Sequence, residues 1–217
     1  MPEIADFIHS AALRQALTEN LESFDDRRII EDSGPEHPGL TRAAVAVTVF
    51  NQGDEASVIV TKRSPRLGAH SGQWAIPGGR LDRGEDTATA ALRELREEIN
   101  LSLDRSDILG YLDDYRTRSG YVITPVVAWS EAEYEELVPN PGEVASIHGF
   151  SFTELTRPDS PNLETIPESE KQVLSMNYLN DRIYSPTAAM LYQFREVGIL
   201  GRRTRVSHYD QPVFAWK

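Results

Sequence analysis

The chain of 217 residues contains no cysteine, and its 22 basic residues are outnumbered by 34 acidic ones. The absence of cysteine excludes disulfides, thiolate metal ligands and a thiol nucleophile, and it favours a reducing compartment, so we predict a cytoplasmic protein. No uninterrupted apolar run is long enough for a transmembrane helix, and the N-terminus lacks the basic start and apolar centre of a signal peptide. We therefore expect no membrane association.

The formal net charge is −12, which is the opposite of the basic surface that non-specific nucleic-acid binding requires. An anionic substrate would need a bound cation or a local cluster of basic side chains. Hydrophobic residues make up 40% and charged residues 26% of the chain, which suits one globular domain with a sizeable core. The expected partner is a small molecule, and the sequence leaves open whether the chain forms a homodimer.

Hydrophobic periodicity predicts a mixed α/β fold with strands on both sides of one central helix. A helical pattern over Glu3–Arg28 and a breaker-rich linker, Glu31–Gly39, precede the first strand, so we predict an N-terminal helical extension at 1–38 and a domain at 39–217. A last helix is expected over Pro186–Gly201, with proline at its start and glycine at its end. The predicted strands are Ala43–Phe50, Ala56–Ser64, Gln73–Ile76, Asp107–Thr117, Tyr121–Ser130 and Val144–Phe152.

The central helix, predicted over Thr87–Ile99, concentrates negative charge near its end. Its apolar side chains share one face, and Glu94, Glu97 and Glu98 lie on a neighbouring arc where their carboxylates can converge. Like charges four residues apart destabilise a helix by about 0.2–0.5 kcal/mol, so the arrangement needs a compensating partner. Solvent and interleaved arginines are one such partner. A divalent cation is the other, because carboxylates supply the hard oxygen ligands that Mg²⁺ or Mn²⁺ prefers.

The segment before this helix, PGGRLDRGE, is a glycine-rich turn whose backbone could approach a phosphate or offer a carbonyl to a cation. Gly79 and Glu85 stand at the spacing of the Nudix box, G-x5-E-x7-R-E-U-x-E-E-x-G-U, in which U is a bulky apolar residue. The run Arg93–Leu101 resembles the rest of that motif, with Asn100 in place of its last glycine. If each of six fixed positions matches with a probability of about 6%, a chance match in this chain has a probability of about 10⁻⁵.

The resemblance covers about residues 40–156 and implies the α/β/α sandwich of Nudix proteins, with a mixed sheet. The metal ligands that it implies are Glu94, Glu97, Glu98 and the carbonyl of Gly79. The catalytic residues that it implies are Glu94, Glu97, Arg93 and Glu85. Arg93 and Glu85 would form an ion pair that orients the carboxylates, one of which could act as a general base. Asn100 would end the helix in the left-handed conformation that glycine usually takes.

The stretch from Val58 to Gly79 is similar to a second motif, L-L-T-x-R-S-x3-R-x3-G-x3-F-P-G-G, which marks the coenzyme A diphosphatase branch of the family. The matches in register are Thr61, Arg63, Ser64, Gly72, Pro77, Gly78 and Gly79. Gly68 replaces an arginine of the motif and Ile76 a phenylalanine, and Arg66 could substitute for the lost arginine. The predicted substrate-binding residues are Lys62, Arg63, Ser64, Arg66 and Gly78. The basic ones among them suit a polyanionic substrate.

The two motifs imply a metal-dependent hydrolase of a diphosphate linkage in a nucleoside diphosphate derivative, with coenzyme A or acyl-coenzyme A as the expected substrate. Two alternatives remain open: a Nudix hydrolase of ADP-ribose or NADH, and a non-enzymatic Nudix-fold ligand sensor. The complete acidic set argues against the sensor. Glu143 resembles the acidic residue that supplies a distant ligand or base in some Nudix enzymes, although a solvated turn glutamate looks the same in sequence. The final segment, VSHYDQPVFAWK, carries no pattern that we can interpret.

Overall fold

The computed structural model of the chain describes residues 7–30, 39–53, 55–67 and 71–216. These residues form helices and two β-sheets. The helices are α1 (Ala11–Ser23), α2 (Thr87–Ile99), α3 (Phe152–Leu155) and α4 (Thr187–Phe194). The strands are β1 (Thr41–Gln52), β2 (Glu55–Arg63), β3 (Trp74–Ala75), β4 (Gly78–Arg80), β5 (Ile108–Tyr111), β6 (Tyr115–Arg116), β7 (Tyr121–Glu133), β8 (Val144–Ser151), β9 (Asn162–Ile166), β10 (Ser169–Tyr178) and β11 (Asp181–Tyr184).

The larger sheet is mixed. Its strand order is β3-β2-β1-β7-β5, with β4 on β1, β6 on β7 and β8 on β2. The central strand β1 runs parallel to β7 and antiparallel to β2 and β4. Along β1, Val45 and Val47 pack into the core on one face while Ala44 and Ala46 pack into the core on the other. Because both faces are covered, the strand has a continuous apolar sequence instead of an alternating one.

Helices cover both faces of this sheet. On one face α2 buries Leu95 and Ile99 against the strands. On the other face α1 contributes Leu17, and α4 contributes Phe194, to the larger of the two hydrophobic clusters. The result is the α/β/α sandwich with a mixed sheet that the sequence predicted. Within the described ranges, no helix is long and apolar enough to cross a membrane.

The N-terminal helix is shorter than its hydrophobic pattern predicted. It begins at Ala11, where Ser10 caps it by accepting a hydrogen bond from the N–H of Leu13 at 3.3 Å, and it ends at Ser23. The predicted start of the helix and the linker at 31–38 lie outside the described residues. The division of the chain at residue 38 therefore remains a prediction, while α1 itself packs against β5 and the end of α4.

The C-terminal half contains a sheet that the sequence pattern did not predict. Strands β9, β10 and β11 form an antiparallel sheet in the order β11-β10-β9. The last helix begins at Thr187 as expected, but its α-helical part ends at Phe194 and a π-helical turn, Arg195–Ile199, continues it. Gly201 follows in the left-handed conformation, with φ of 61°. The predicted helix over Pro186–Gly201 is therefore α-helical in its first half only.

Candidate active site

The acidic helix α2 is held at both ends. The Asp86 side chain accepts a hydrogen bond from the N–H of Thr89 at 2.8 Å and caps the first turn. Asn100 ends the helix in the left-handed conformation, with φ of 57°, which confirms the prediction made for it. Leu95 fixes the rotation of the helix by packing into the core, so that the acidic arc faces the turn before it and the loop before β8.

Three carboxylates meet at the surface of α2. Glu94, Glu98 and Glu143 each place one oxygen within 4.8 Å of the others. Glu98 is only 5% exposed, and burial, followed by repulsion from Glu94, raises its pKa to about 8. Burial also raises the pKa of Glu94. These carboxylates repel one another unless a proton or a cation neutralises them, and an all-carboxylate set suits Mg²⁺ or Mn²⁺.

Glu97 does not belong to this carboxylate group in the structure. Its side chain is 48% exposed, and one oxygen accepts a hydrogen bond from Arg93 Nη1 at 2.9 Å. Glu143, from the turn before β8, occupies the third position instead. The sequence had pointed to Glu143 only through its place before a late strand. The predicted metal and catalytic roles of Glu97 stay predictions.

The guanidinium of Arg93 joins the glycine-rich turn to α2. Nε and Nη2 donate to the two carboxylate oxygens of Glu85 at 3.0 and 3.1 Å. Nη1 donates to Glu94 at 2.8 Å as well as to Glu97, and Nη2 also donates to the carbonyl of Arg80 at 3.0 Å. The hydrogen bonds from Arg93 lower the pKa of Glu85. The ion pair that the motif implies is thus present, and it connects directly to the carboxylate group.

The two glycines before the helix are needed for close packing. A Cβ on Gly79 would overlap the Glu94 carboxylate, lying 2.6 Å from its Cδ. A Cβ on Gly78 would lie 2.6 Å from the Cα of Val45 on the paired strand. The Gly78 N–H also donates a hydrogen bond to Glu98. A larger residue at position 78 would therefore push the turn away from β1, and one at position 79 would displace the Glu94 carboxylate.

Ser64 fastens the turn that carries Glu143. It is buried, its N–H donates to the carbonyl of Glu143 at 2.8 Å, and its Oγ donates to the carbonyl of Pro141 at 3.3 Å. On the other side of the turn, the N–H of Asn140 donates to the carbonyl of Glu98 at 2.8 Å. These bonds tie the turn to both β2 and α2. Ser64, predicted to bind substrate, is therefore placed behind the carboxylates as a brace for Glu143.

A cavity of about 600 Å³ opens beside the Gly78–Gly79 turn. Arg63 lines it, and its Nε is buried with no hydrogen-bond partner among the described residues. Arg80 also lines it, and its Nε donates to the hydroxyl of Tyr121 at 3.0 Å. The apolar part of the wall consists of Val45, Trp74, Ile76, Ile123, Pro186 and Met190. The cavity thus has cationic side chains near the Gly78–Gly79 turn, and its remaining wall combines apolar side chains with neutral polar ones such as Thr117, Ser119 and Thr187.

The predicted basic cluster is divided in the structure. Lys62 and Arg63 are successive on β2, so their side chains point to opposite faces of the sheet. Lys62 Nζ bonds to Asp181 at 2.8 Å and lines a smaller cavity of about 190 Å³. Arg66 is exposed, and it does not line either cavity. Gly68 lies outside the described residues. Of the three basic residues, Arg63 is the one that the structure brings to the carboxylates.

The fold and the site define a class of α/β protein in which a glycine turn leads into a helix that carries clustered carboxylates. A family model described as the NUDIX domain matches residues 40–173, a range that includes Arg63, the Gly78–Gly79 turn, α2 and Glu143. The chain belongs to the Nudix family.

Relatives with curated descriptions carry the family name. "Nudix hydrolase 3" of Caenorhabditis elegans is 33% identical over 133 residues, which cover 60% of this chain and 54% of that protein. "Uncharacterized Nudix hydrolase NudL" of Pectobacterium atrosepticum is 32% identical over 156 residues, which cover 70% of this chain and 80% of that protein. A solved NUDIX hydrolase from Nitrosomonas europaea aligns with a TM-score of 0.48 at 16% identity, covering 76% of each chain. The chain thus spans little more than half the length of the nematode relative.

Proposed function

We propose that the chain is a metal-dependent hydrolase that cleaves the diphosphate linkage of a nucleoside diphosphate derivative, with coenzyme A or acyl-coenzyme A as its substrate. The products would be a 4′-phosphopantetheine and adenosine 3′,5′-bisphosphate. The observation that carries the proposal is the position of the Glu94, Glu98 and Glu143 carboxylates, directly beside the Gly78–Gly79 turn and the cavity that Arg63 lines. Membership of a family whose relatives are named Nudix hydrolases supports it.

The carboxylate group fits Mg²⁺ or Mn²⁺ by its chemistry. Burial and mutual repulsion oppose the ionisation of Glu94 and Glu98, and a bound cation would remove that cost. The carbonyl of Gly79 and the carboxylate of Glu97 are the predicted additional ligands. When bound, the cation would neutralise part of the phosphate charge and lower the pKa of a coordinated water.

The protein's own groups would position the substrate and move the proton. Arg93 donates to one oxygen of Glu94, and it holds Glu85 with two further hydrogen bonds, so it fixes the carboxylates before substrate binds. One carboxylate of the group would accept the proton of the attacking water. Arg63 would donate from its unpartnered Nε to an oxygen of the additional ribose phosphate of coenzyme A, a charge-assisted bond worth about 1.5–3 kcal/mol.

A hydrolase of ADP-ribose or NADH is the second candidate, and one observation favours it. Among the described residues, the cationic side chains that line the large cavity are Arg63 and Arg80, both near the Gly78–Gly79 turn. If both arginines contact the diphosphate, the additional ribose phosphate of coenzyme A has no positive partner among the described side chains that line this cavity. Lys62 is engaged by Asp181 instead. ADP-ribose has no such phosphate and would need no further cation.

The deciding experiment measures kcat/KM for coenzyme A, acetyl-coenzyme A, dephospho-coenzyme A, ADP-ribose and NADH with Mg²⁺ and with Mn²⁺. We expect coenzyme A to exceed dephospho-coenzyme A by about tenfold to a hundredfold, the value of one charge-assisted phosphate contact. Arg63→Ala should narrow that gap, whereas Arg66→Ala, which removes an exposed positive charge outside the cavity, should not.

Two results would change the conclusion. If ADP-ribose or NADH is preferred, the coenzyme A assignment fails and the assignment as a diphosphate hydrolase stands. If no substrate is cleaved with either metal, the chain is better described as a ligand sensor, and binding of the same compounds becomes the measurement of interest.

A further inference from the structure

The C-terminal segment, Asp210–Trp216, takes part in the large cavity although it lies outside the range that the family model matches, 40–173. Two of its residues, Gln211 and Ala215, line the cavity wall. The Gly78–Gly79 turn and Arg63 line the same cavity, so one continuous space connects the carboxylate region with the C-terminal segment. A molecule whose diphosphate lies at the turn would extend towards this segment.

The C-terminal segment is anchored by specific contacts. Arg118 donates to Asp210 Oδ1 at 3.1 Å, and its guanidinium also lies over the Trp216 ring, 4.9 Å from the centroid. Ser169 Oγ donates to Asp210 Oδ2 at 2.6 Å. Trp216 Nε1 donates to the carbonyl of Gln211 at 2.8 Å. These contacts hold both ends of the segment and fix the backbone on either side of Gln211.

The side-chain amide of Gln211 has an unmet hydrogen bond. The residue is 2% exposed, and its carbonyl oxygen Oε1 has no partner among the described residues. A buried acceptor without a donor is costly, so such atoms usually mark a missing partner. The same amide forms a side-chain hydrogen bond with the buried Tyr115, which orients the amide and leaves Oε1 as the atom without a partner. The surrounding wall combines apolar side chains, including Ile123 and Met190, with neutral polar ones, including Thr117 and Ser119. A neutral donor is therefore the suitable partner.

We propose that the segment Asp210–Trp216 forms one wall of the substrate site and that Gln211 is a specificity-determining residue, whose amide oxygen accepts a hydrogen bond from an N–H group in the neutral part of the substrate. The inference rests on the proposed function. Two sources share this chemistry: the amide N–H groups of a pantetheine arm and the exocyclic amine of adenine. The substrates used in the experiment distinguish these two sources.

The experiment compares wild type with Gln211→Leu, which removes the acceptor at nearly constant volume. Gln172→Leu makes the same chemical change at an exposed glutamine on the neighbouring strand, and it serves as the matched control. The substrates are coenzyme A, its ester analogue in which oxygen replaces each amide N–H, ADP-ribose, and the hypoxanthine forms of coenzyme A and ADP-ribose, which lack the amine. Circular dichroism and thermal unfolding establish that each variant is folded.

We expect Gln211→Leu to lower kcat/KM about tenfold, mainly through KM, equivalent to about 1.4 kcal/mol, for substrates that carry the recognised N–H. If the arm is recognised, the loss occurs with coenzyme A and is absent with its ester analogue and with ADP-ribose. If adenine is recognised, the loss occurs with both adenine substrates and is absent with both hypoxanthine forms. An equal change for all substrates, or no change for any, would overturn the proposal.

Two further outcomes keep the inference separate from the proposed function. If Gln211→Leu does not fold, the test uses wild type alone. The proposal requires wild type to have a higher kcat/KM for a substrate with the N–H group than for the matching analogue without it. If wild type cleaves none of the compounds, the proposed function fails, and calorimetric binding of the same set with Mg²⁺ tests Gln211 by itself. Binding that is equal for every matched pair, or no binding at all, would overturn the assignment of Gln211.

Discussion

Replacing Arg93 with alanine should destabilise the protein as well as inactivate it. The Arg93 side chain uses all of its N–H groups, on Glu85, Glu94, Glu97 and the carbonyl of Arg80. Two of the carboxylates are shielded from water, since the side chains of Glu85 and Glu94 are 9% and 12% exposed. The substitution would leave them without their main partner.

The expected loss of stability depends on which of these contacts are buried. Breaking a buried ion pair by removing one partner costs about 3–5 kcal/mol, whereas an exposed pair such as that with Glu97 contributes about 0–1 kcal/mol. Glu85 keeps a hydrogen bond from the N–H of Asp82 at 2.9 Å, and Glu94 can take up a proton because burial raises its pKa. Both effects reduce the penalty. We therefore expect Arg93→Ala to lower the free energy of unfolding by about 3 kcal/mol, which for a chain of this size lowers Tm by about 6–12 °C.

Thermal unfolding followed by circular dichroism, without added metal, measures this effect. Arg96→Ala is the matched control, because Arg96 is an exposed arginine on the same helix whose side chain makes no hydrogen bond or ion pair within the described part of the chain. Arg93→Lys should be intermediate, since an ammonium group has three donors where the guanidinium has five. If Arg93→Ala and Arg96→Ala unfold at the same temperature, the network does not brace the site and the argument fails.

Glu98→Gln should abolish Mn²⁺ binding and turnover without lowering Tm, because burial already favours the neutral form of Glu98 and glutamine is a neutral group of the same size. Calorimetry and a turnover assay test this, and retained binding would exclude Glu98 as a ligand. Gly79→Ala should lower turnover more than Tm, because its Cβ would displace the Glu94 carboxylate, which is the end of a flexible side chain; a turnover assay and thermal unfolding measure the two effects. Burial raises the pKa of Asp210, but hydrogen bonds led by Arg118 outweigh it and lower the pKa from 3.8 to about 2. The ionised Asp210 carboxylate then contributes about 2 kcal/mol to the free energy of unfolding above pH 4, and this contribution is lost as the pH falls through 2. Urea unfolding should therefore show Asp210→Asn to be less stable than wild type at pH 4 but equally stable at pH 2.

The sequence was most informative where structure depends on near neighbours in the chain. Helix α2 starts and stops where its caps predict, and residues four apart, such as Glu94 and Glu98, must share a face. The ion pair between Arg93 and Glu85 joins the segment just before the helix to the middle of the helix, eight residues later, so the motif spacing also fixes it. These features need no knowledge of the remaining fold.

Contacts between distant segments were beyond the reach of such reasoning. Glu143 joins Glu94 because the turn before β8 is pinned to Ser64 and to the end of α2, and nothing in the local sequence reports those bonds. The contribution of Gln211 to the cavity depends in the same way on anchoring far from the motif. The sheet of β9 to β11 escaped prediction because its outer strand β9 exposes three successive residues, Leu163, Glu164 and Thr165, so it lacks the alternating burial of a strand.

One misplaced expectation could have been avoided with the sequence alone. The basic residues Lys62 and Arg63 were grouped because they are adjacent, yet adjacency in a strand separates side chains instead of uniting them. In the structure Lys62 bonds to Asp181, while Arg63 lies on the side of the carboxylates. For a predicted strand, residues two apart are the ones to combine into a site.

The distribution of charge around α2 indicates where a cation would be needed. On one side of the helix, Arg93 neutralises part of the charge of Glu85, Glu94 and Glu97. On the other side, Glu98 and the Glu143 turn face Arg63, which forms no hydrogen bond to either carboxylate within the described residues. The excess negative charge therefore lies on the side of the cavity. A diphosphate entering there would be repelled by the carboxylates, and the guanidinium groups of Arg63 and Arg80 carry too little positive charge to offset both the carboxylates and the diphosphate. We expect divalent cations from solution to supply the missing charge, so chelation of the metal should remove substrate binding and turnover together.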